Sequence, residues 1–298
     1  MTKFSEEMTS SNRFIEEELD KKLTSIGDLM SANVISIIAP MHQPVDDWVR
    51  DHIEGIENRK ESLLVLLETP GGSIETVERI ADVLRHHYPK EVCFLVPNYA
   101  MSAGTVLVMS GDKIFMDYYS VLGPIDPQVR SRSKGDVYVP ALGYLHKYSE
   151  FIEKAAGNLT SLEIAFFVQK FDPAELHQFE QARDLSIDLL KKWLVNYKFK
   201  NWSCTETRGL PVTIQDKETR AAEIATKLND TKLWKSHARG LGREVIRNEL
   251  NLIVEDFGAN QPLNQAVRAY YRLLQDFMMR LSHSLVIHTQ GMYRGHGG

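Results

Sequence analysis

Leu63-Leu64-Val65-Leu66-Leu67 and Val92-Cys93-Phe94-Leu95-Val96 are short runs without a polar residue, each closed by turn formers: Glu68-Thr69-Pro70-Gly71-Gly72 after the first, Pro97-Asn98-Tyr99-Ala100 after the second. A strand with one wet face alternates apolar and polar residues. Runs that are apolar at every position are strands covered on both faces, the condition of a parallel sheet between layers of helix. Ile74 to His87, lying between them, reads as a helix, so the whole is a βαβ unit. Right-handed crossover puts the carboxyl ends of both strands at one edge of the sheet, where open α/β sheets keep their sites. The turns at that edge carry chemistry. Paired glycines, Gly71 and Gly72, let the main chain approach a ligand with its N–H groups free. Ser102 opens the small-residue apolar helix that follows the second strand. The two turns together predict an oxyanion-binding segment and a serine nucleophile facing one substrate.

Thr69-Pro70-Gly71-Gly72, Met101-Ser102-Ala103-Gly104 and Leu122-Gly123-Pro124-Ile125-Asp126-Pro127-Gln128, in that order, resemble the Clp protease/crotonase superfamily. Within it the chain is most similar to the serine dehydrogenase proteinase group, relatives of signal peptide peptidase A. The resemblance covers residues 30 to 130, and Trp234-Lys235-Ser236-His237 is similar to the group's C-terminal portion. It implies a Clp protease/crotonase-like α/β fold, a parallel sheet of ββα-type repeats with a helical C-terminal extension. The expected organisation is a helical segment over 1–30, a catalytic core over 31–140, a helical extension over 141–290 that completes the core and forms an oligomer interface, and a disordered tail over 291–298. The resemblance further implies that the N–H groups of Gly72 and Ala103, with Gly71, form an oxyanion hole. Leu122 and Gly123 are then expected to hold an extended substrate by strand addition.

A serine hydroxyl attacks only when a base within hydrogen-bond reach takes its proton. In Clp-type relatives the base is a histidine after the strand following the nucleophile; the matching stretch here, Leu122 to Gln128, has none, and the Asp126 carboxylate is a poor base at neutral pH. In signal peptide peptidase relatives the base is a lysine farther downstream, kept neutral by burial. Lys147, flanked by aromatics, is the first candidate and Lys154 the second; Lys134, Lys170, Lys191 and His146 rank below them. His42, at the end of the first strand, is a minor candidate.

The remaining features bound the class. With 298 residues, 43% hydrophobic and 25% charged, the chain has the material for one α/β domain with helical additions. A net charge of −5 supplies no basic face, so no nucleic-acid partner is expected. Cys93 and Cys204 are the only cysteines, which fits a reducing cytoplasm rather than a disulfide framework. The start is acidic, with no secretory leader, and no apolar run reaches the roughly 20 residues of a membrane span, so no membrane anchor is expected. His86 and His87 are adjacent without a cysteine cluster, and Gly71-Gly72 lacks the lysine of a phosphate loop; no metal or cofactor is expected. A helix with Phe14, Ile15, Leu19, Leu23 and Ile26 on one face is expected near the start, a strand over Asn33 to Ala39, and a helix over Val45 to Asn58. Beyond Pro140 the pattern predicts helices over Leu142 to Ala155, Ser161 to Lys170 and Pro173 to Tyr197, two around Gly240-Leu241-Gly242, and a last one over Ala266 to Ile287. The expectation is a cytoplasmic, homo-oligomeric serine peptidase acting on a peptide or protein, with a non-catalytic oligomeric scaffold of the same fold as the alternative.

Overall fold

The structure is a computed structural model that describes residues 2–126, 128–131, 135, 137–155, 160, 172–205, 209–236 and 239–297; Pro127, Lys134, the helix expected over Ser161 to Lys170, and His237 lie outside the described residues. The chain opens with α1 (Thr2–Leu29), β1 (Asn33–Ile38), α2 (Val45–Glu54), β2 (Ser62–Glu68), α3 (Ile74–His87) and β3 (Glu91–Leu95). Then come β4 (Tyr99–Ala100), α4 (Ala103–Val108), β5 (Lys113–Met116) and β6 (Val121–Leu122), followed by a hairpin of β7 (Gln128–Ser131) and β8 (Val137–Pro140). Helices follow: α5 (Ala141–Ala155), α6 (Pro173–Trp193) running into a π-helical turn (Leu194–Lys198), α7 (Ile214–Leu228) and α8 (Thr231–Trp234). The chain closes with β9 (Leu241–Gly242), α9 (Arg243–Leu250), β10 (Glu255–Asp256), α10 (Gln261–Leu281), β11 (His283–Thr289) and β12 (Met292–Gly297).

The main sheet has the order β10-β5-β3-β2-β1-β11-β12. From β10 to β1 every pairing is parallel, and β11 and β12 add an antiparallel hairpin at the β1 edge. The fully apolar runs are covered on both faces, as their pattern predicts. On β2 the side chains of Leu63, Val65 and Leu67 enter a core shared with α2, α3, α4, α6 and α7. Leu64 and Leu66 enter the opposite core, closed by α1 and α10. The register aligns the strand ends, with Ile38 opposite Glu68 and Leu66 opposite Leu95. The turns that follow therefore leave the sheet side by side, and single bridges continue the pairing between Met41 and Gly72 and between Thr69 and Ala100.

Two expectations about the C-terminal end are corrected. The last helix stops at Leu281, where Ser282 turns left-handed at φ 55°, and the residues that follow pair with β1 as β11. The tail expected to be disordered forms β12 over Met292–Gly297, joined to β11 by a two-residue turn at Gln290-Gly291 with Gly291 at φ 79°. A Cβ at Gly295 would fall 1.9 Å from Nδ1 of His283, so what read as a flexible run of small residues is a strand packed close against its neighbour. Val45–Glu54 is shorter than the expected helix, ending at Gly55. No described helix is long and apolar enough to cross a membrane.

Candidate active site

The site is built on the strand ends. Met41 N–H donates to the Gly71 carbonyl at 2.8 Å, and Ser73 N–H donates to the Met41 carbonyl at 2.9 Å, so the end of the β1 segment fixes both sides of the paired glycines. Gly71 and Gly72 sit at φ 101° and 152°, backbone that side chains oppose. A Cβ on Gly71 would lie 2.8 Å from both the Met101 carbonyl oxygen and Ser102 Cβ, and one on Gly72 would lie 2.4 Å from the Met41 carbonyl oxygen. The turn is therefore pressed directly against Ser102. Thr69, which sequence reasoning did not single out, holds it in shape: its hydroxyl accepts the Gly71 N–H at 3.0 Å.

Ser102 has φ 52° and ψ −119°, and its side chain caps nothing in α4. Such a conformation costs a non-glycine residue about 1–3 kcal/mol and persists only where the surroundings impose it. Main-chain bonds on both sides impose it here. Met101 N–H donates to the Thr69 carbonyl at 2.9 Å, and Gly104 N–H donates back to the Met101 carbonyl at 2.8 Å. The hydroxyl is wholly buried, at 0% exposure, and donates to the main-chain carbonyl of Asp126 at 2.6 Å. No described residue accepts the N–H of Gly72 or of Ala103.

Thr105, a second residue without a sequence signal, joins α4 to both neighbouring strands. Its hydroxyl lies 2.9 Å from the carbonyls of Ala100 and Gly123 and accepts the Gly123 N–H at 3.0 Å. Leu122 and Gly123, expected to offer main-chain groups to a substrate, are already engaged. β6 lies between β4, parallel to it, and β9, antiparallel to it, in the order β4-β6-β9.

The candidate bases are on α5 and elsewhere. Asp126 caps this helix, accepting the Leu142 N–H on Oδ1 at 2.8 Å. Lys147 is 70% exposed and paired with Glu150 at 2.8 Å. Lys154 is exposed, and Lys170 lies outside the described residues. His146 faces Glu150 at 3.2 Å, so it and Lys147 share one carboxylate at the surface. Neither lysine of α5 is buried in the arrangement seen, and neither touches the Ser102 hydroxyl. His42, next to Met41, is half-buried, and burial pushes its pKa below the ordinary value. Lys191, on α6, lies beside the surface-facing Gln215 and Glu218 of α7. No group of metal-binding side chains occurs among the described residues.

Comparison with known proteins follows the same residues. The ClpP-like SDH-type serine proteinase family matches residues 56–149, a segment that holds Gly71, Gly72, Ser102, Ala103, Leu122, Gly123 and Lys147 but not Lys154. Two uncharacterized proteins of Methanocaldococcus jannaschii are similar to the chain. One is 46% identical over 65 residues, 22% of this chain and 22% of that protein. The other is 28% identical over 164 residues, 55% of this chain and 52% of that protein. The matches thus span about half or less of the curated relatives' own length. Of solved structures, a mutant of the 1510-N membrane-bound stomatin-specific protease aligns at TM-score 0.43 and 14% identity, over 74% of this chain and 77% of that one. ClpP1 from Listeria monocytogenes aligns at TM-score 0.41 and 10% identity, over 78% of this chain and 96% of that one.

Proposed function

We propose that the chain is a serine peptidase of the ClpP-like SDH type, with Ser102 as nucleophile, the N–H groups of Gly72 and Ala103 as the oxyanion hole, and a lysine of α5 as general base. The observation that carries this reading is the backbone of Ser102, strained at φ 52°, with no capping role to explain it and the Gly71 turn against its Cβ. Strain imposed by surrounding structure marks functional positions. The family match over residues 56–149 supports the same residues, and it favours Lys147 over Lys154 because only Lys147 lies inside it.

In this reading the Ser102 oxygen forms a bond to the scissile carbonyl carbon while its proton passes to the lysine amine. The carbonyl oxygen, now negative, takes the two free N–H groups. The C–N bond breaks and the departing amine receives the proton from lysine; water, giving a proton to the lysine amine, then attacks the acyl carbon, and the ester C–O bond breaks with that proton passing to the Ser102 oxygen. Removing one such donor typically lowers turnover by about 10²–10³. Lys147 is exposed in the arrangement seen, so α5 moves toward Ser102 in the catalytic one, exchanging the Glu150 ion pair for burial that keeps the amine neutral. The substrate is a peptide or protein, and residues 141–290, whose helices and strands complete both cores and the main sheet, are also assigned the interface of a cytoplasmic homo-oligomer.

One observation favours a second reading, a non-catalytic scaffold that keeps the fold: Ser102 is fully buried and its hydroxyl is bonded to a carbonyl. Intact-mass analysis after treatment with a fluorophosphonate separates the two. Labelling that is lost in Ser102→Ala and in Lys147→Ala, with Lys154→Ala unaffected, supports the dyad. Labelling lost in Lys154→Ala instead reassigns the base. A folded protein that takes no label under conditions that open the site is a scaffold.

A further inference from the structure

Building on the peptidase reading, we infer that Gly240-Leu241-Gly242 is an internal occupant of the substrate's place, and that the pocket it fills selects an extended peptide with a branched aliphatic side chain. β6 is the strand through which the segment after Ser102 would hold a peptide. One of its edges is bonded to β4, through Val121 N–H on the Asn98 carbonyl at 2.9 Å and Gly123 N–H on the Ala100 carbonyl at 3.1 Å. In a strand, alternate residues present their main-chain groups to opposite edges, which leaves those of Leu122 for the other edge. That edge is taken by β9, running antiparallel with Leu122 opposite Leu241 and Val121 opposite Gly242. An added strand of substrate needs the same Leu122 groups.

The seating of β9 defines what a replacement must look like. Leu241 is 0% exposed and belongs to the core shared with α4, so a peptide laid in its register buries one side chain at that position. Gly240 passes so close that a Cβ would fall 2.9 Å from Val121 Cγ1, which restricts the position before the anchor to the smallest residue. At Gly242 a Cβ would meet nothing within 4 Å, so the position after the anchor accepts larger side chains. The complete burial of Ser102 fits an arrangement in which the substrate's place is already filled. A neighbouring contact closes the same side, Ile125 N–H donating to the Leu228 carbonyl at the end of α7 at 2.9 Å. Releasing β9 is thus the step that admits substrate, and the released strand and the substrate compete for one edge.

The test locks and releases β9 in the full chain. Val121→Cys and Gly242→Cys, in a Cys204→Ser background, put two thiols on directly opposed residues, where antiparallel Cβ atoms stand about 4.5–5.5 Å apart and a disulfide closes with a small shift. Ser102 labelling by a fluorophosphonate is expected to be at least about tenfold faster in the reduced protein than in the oxidised one. A second arm uses Leu241→Ser, which loosens β9 and vacates its pocket, with a fluorescent pentapeptide copying residues 239–243. The peptide is expected to bind this variant, and its counterpart carrying aspartate in place of leucine to bind at least about tenfold more weakly, the yield of burying one leucine side chain. Ser102-dependent labelling at equal rates in the locked and released protein overturns the inference and leaves the peptidase reading intact. Failure of the leucine peptide to bind also overturns it. Peptide binding with no Ser102 labelling in any state upholds the strand exchange and removes the peptidase reading.

Discussion

At position 102 the backbone takes a shape that glycine adopts freely and serine does not, and the bonds of Met101 and Gly104 to their neighbours hold it there. Strain of this kind is measurable without any activity. Ser102→Ala keeps the Cβ and the strain but loses the bond to Asp126, whereas Ser102→Gly loses the strain as well. Ser102→Gly is therefore expected to unfold at higher denaturant than Ser102→Ala, by about 1 kcal/mol after glycine's larger chain entropy is counted. Equal stabilities would mean that the conformation is not strained and would remove the observation on which the nucleophile rests. Thr105 gives a second prediction. Thr105→Val keeps the shape but removes the hydroxyl's bonds to the Ala100 and Gly123 carbonyls and leaves the buried Gly123 N–H only its bond to the Ala100 carbonyl, at a cost of about 0.5–1.5 kcal/mol, while Thr105→Ser retains the hydroxyl and loses less. Denaturation of both variants checks the order.

Among the elements, those fixed by local pattern were legible and those fixed by partners were not. β2 and β3 could be read because burial on both faces leaves no polar residue in the run, and the turns after them because glycine and proline there answer to backbone geometry. β6 and β9 are two residues long, and nothing in Val121-Leu122 or Leu241-Gly242 announces that they pair across more than a hundred residues of chain. β11 was read as the end of a helix because Leu285, Val286 and Ile287 continue the apolar spacing of α10; its neighbour β1 decides otherwise. For β12 there was a signal, a two-residue turn ending in glycine between alternating stretches. The side chains of the candidate site divide the same way. Gly71, Gly72 and Ser102 were legible from their turns, whereas Thr69 acts through its hydroxyl on the Gly71 N–H of its own turn and Thr105 through its hydroxyl on main-chain groups of Ala100 and Gly123. Arg268 shows what such long-range ties contribute. From α10 it donates to the Pro97 carbonyl at 2.6 Å and to Asp117, binding the ends of β3 and β5 to the helix layer. Burial raises the Asp117 pKa, but the bonds from Arg268, Ser120 and the Tyr119 N–H outweigh it and hold the carboxyl below its ordinary range. Arg268→Ala leaves that carboxylate buried without its partner and is expected to cost about 3 kcal/mol in thermal or urea denaturation, with Arg268→Lys restoring only part because lysine lacks the forked donor.

Across the whole molecule, the two helix layers and the added hairpin make stability depend on groups remote from Ser102. Asp20 of α1 bonds His288 of β11 at 3.0 Å and accepts the Gly291 N–H at 2.8 Å, tying the first helix to the last strands. Beside this tie, His52 of α2 is fully buried; its Nδ1–H donates to the Trp48 carbonyl at 2.7 Å, and no described residue partners its Nε2. Burial lowers its pKa most, the Trp48 bond opposes that, and the charges of His288 and Arg294 lower it further while Asp51 raises it; the net shift is downward from 6.5. Because the folded state holds this imidazole neutral more strongly than the unfolded chain does, its contribution to stability is complete above the ordinary value. It is lost as pH falls from there through the lower folded value. His42 beside the glycine turn is shifted the same way by burial, so the two add. Buried carboxylates held low by partners act only in stronger acid: burial raises the Asp112 pKa, but the bonds from Lys200, the Val92 N–H at 2.8 Å and Arg85 at 2.7 Å outweigh it and hold it below its ordinary range, and its contribution disappears as pH falls below 3.8. Stability is therefore expected to decline in two stages on acidification, histidines first. Urea midpoints at pH about 7.5 and about 5.5, either side of the histidine range, test this. Wild type is expected to lose stability between them, and His52→Asn, whose amide can keep the bond to Trp48, is expected to be less stable at the higher pH but to show a shallower decline. A decline as steep in His52→Asn as in wild type would assign the first stage to the other histidines that burial holds low, His42, His87 and His283, or to groups of the unfolded chain.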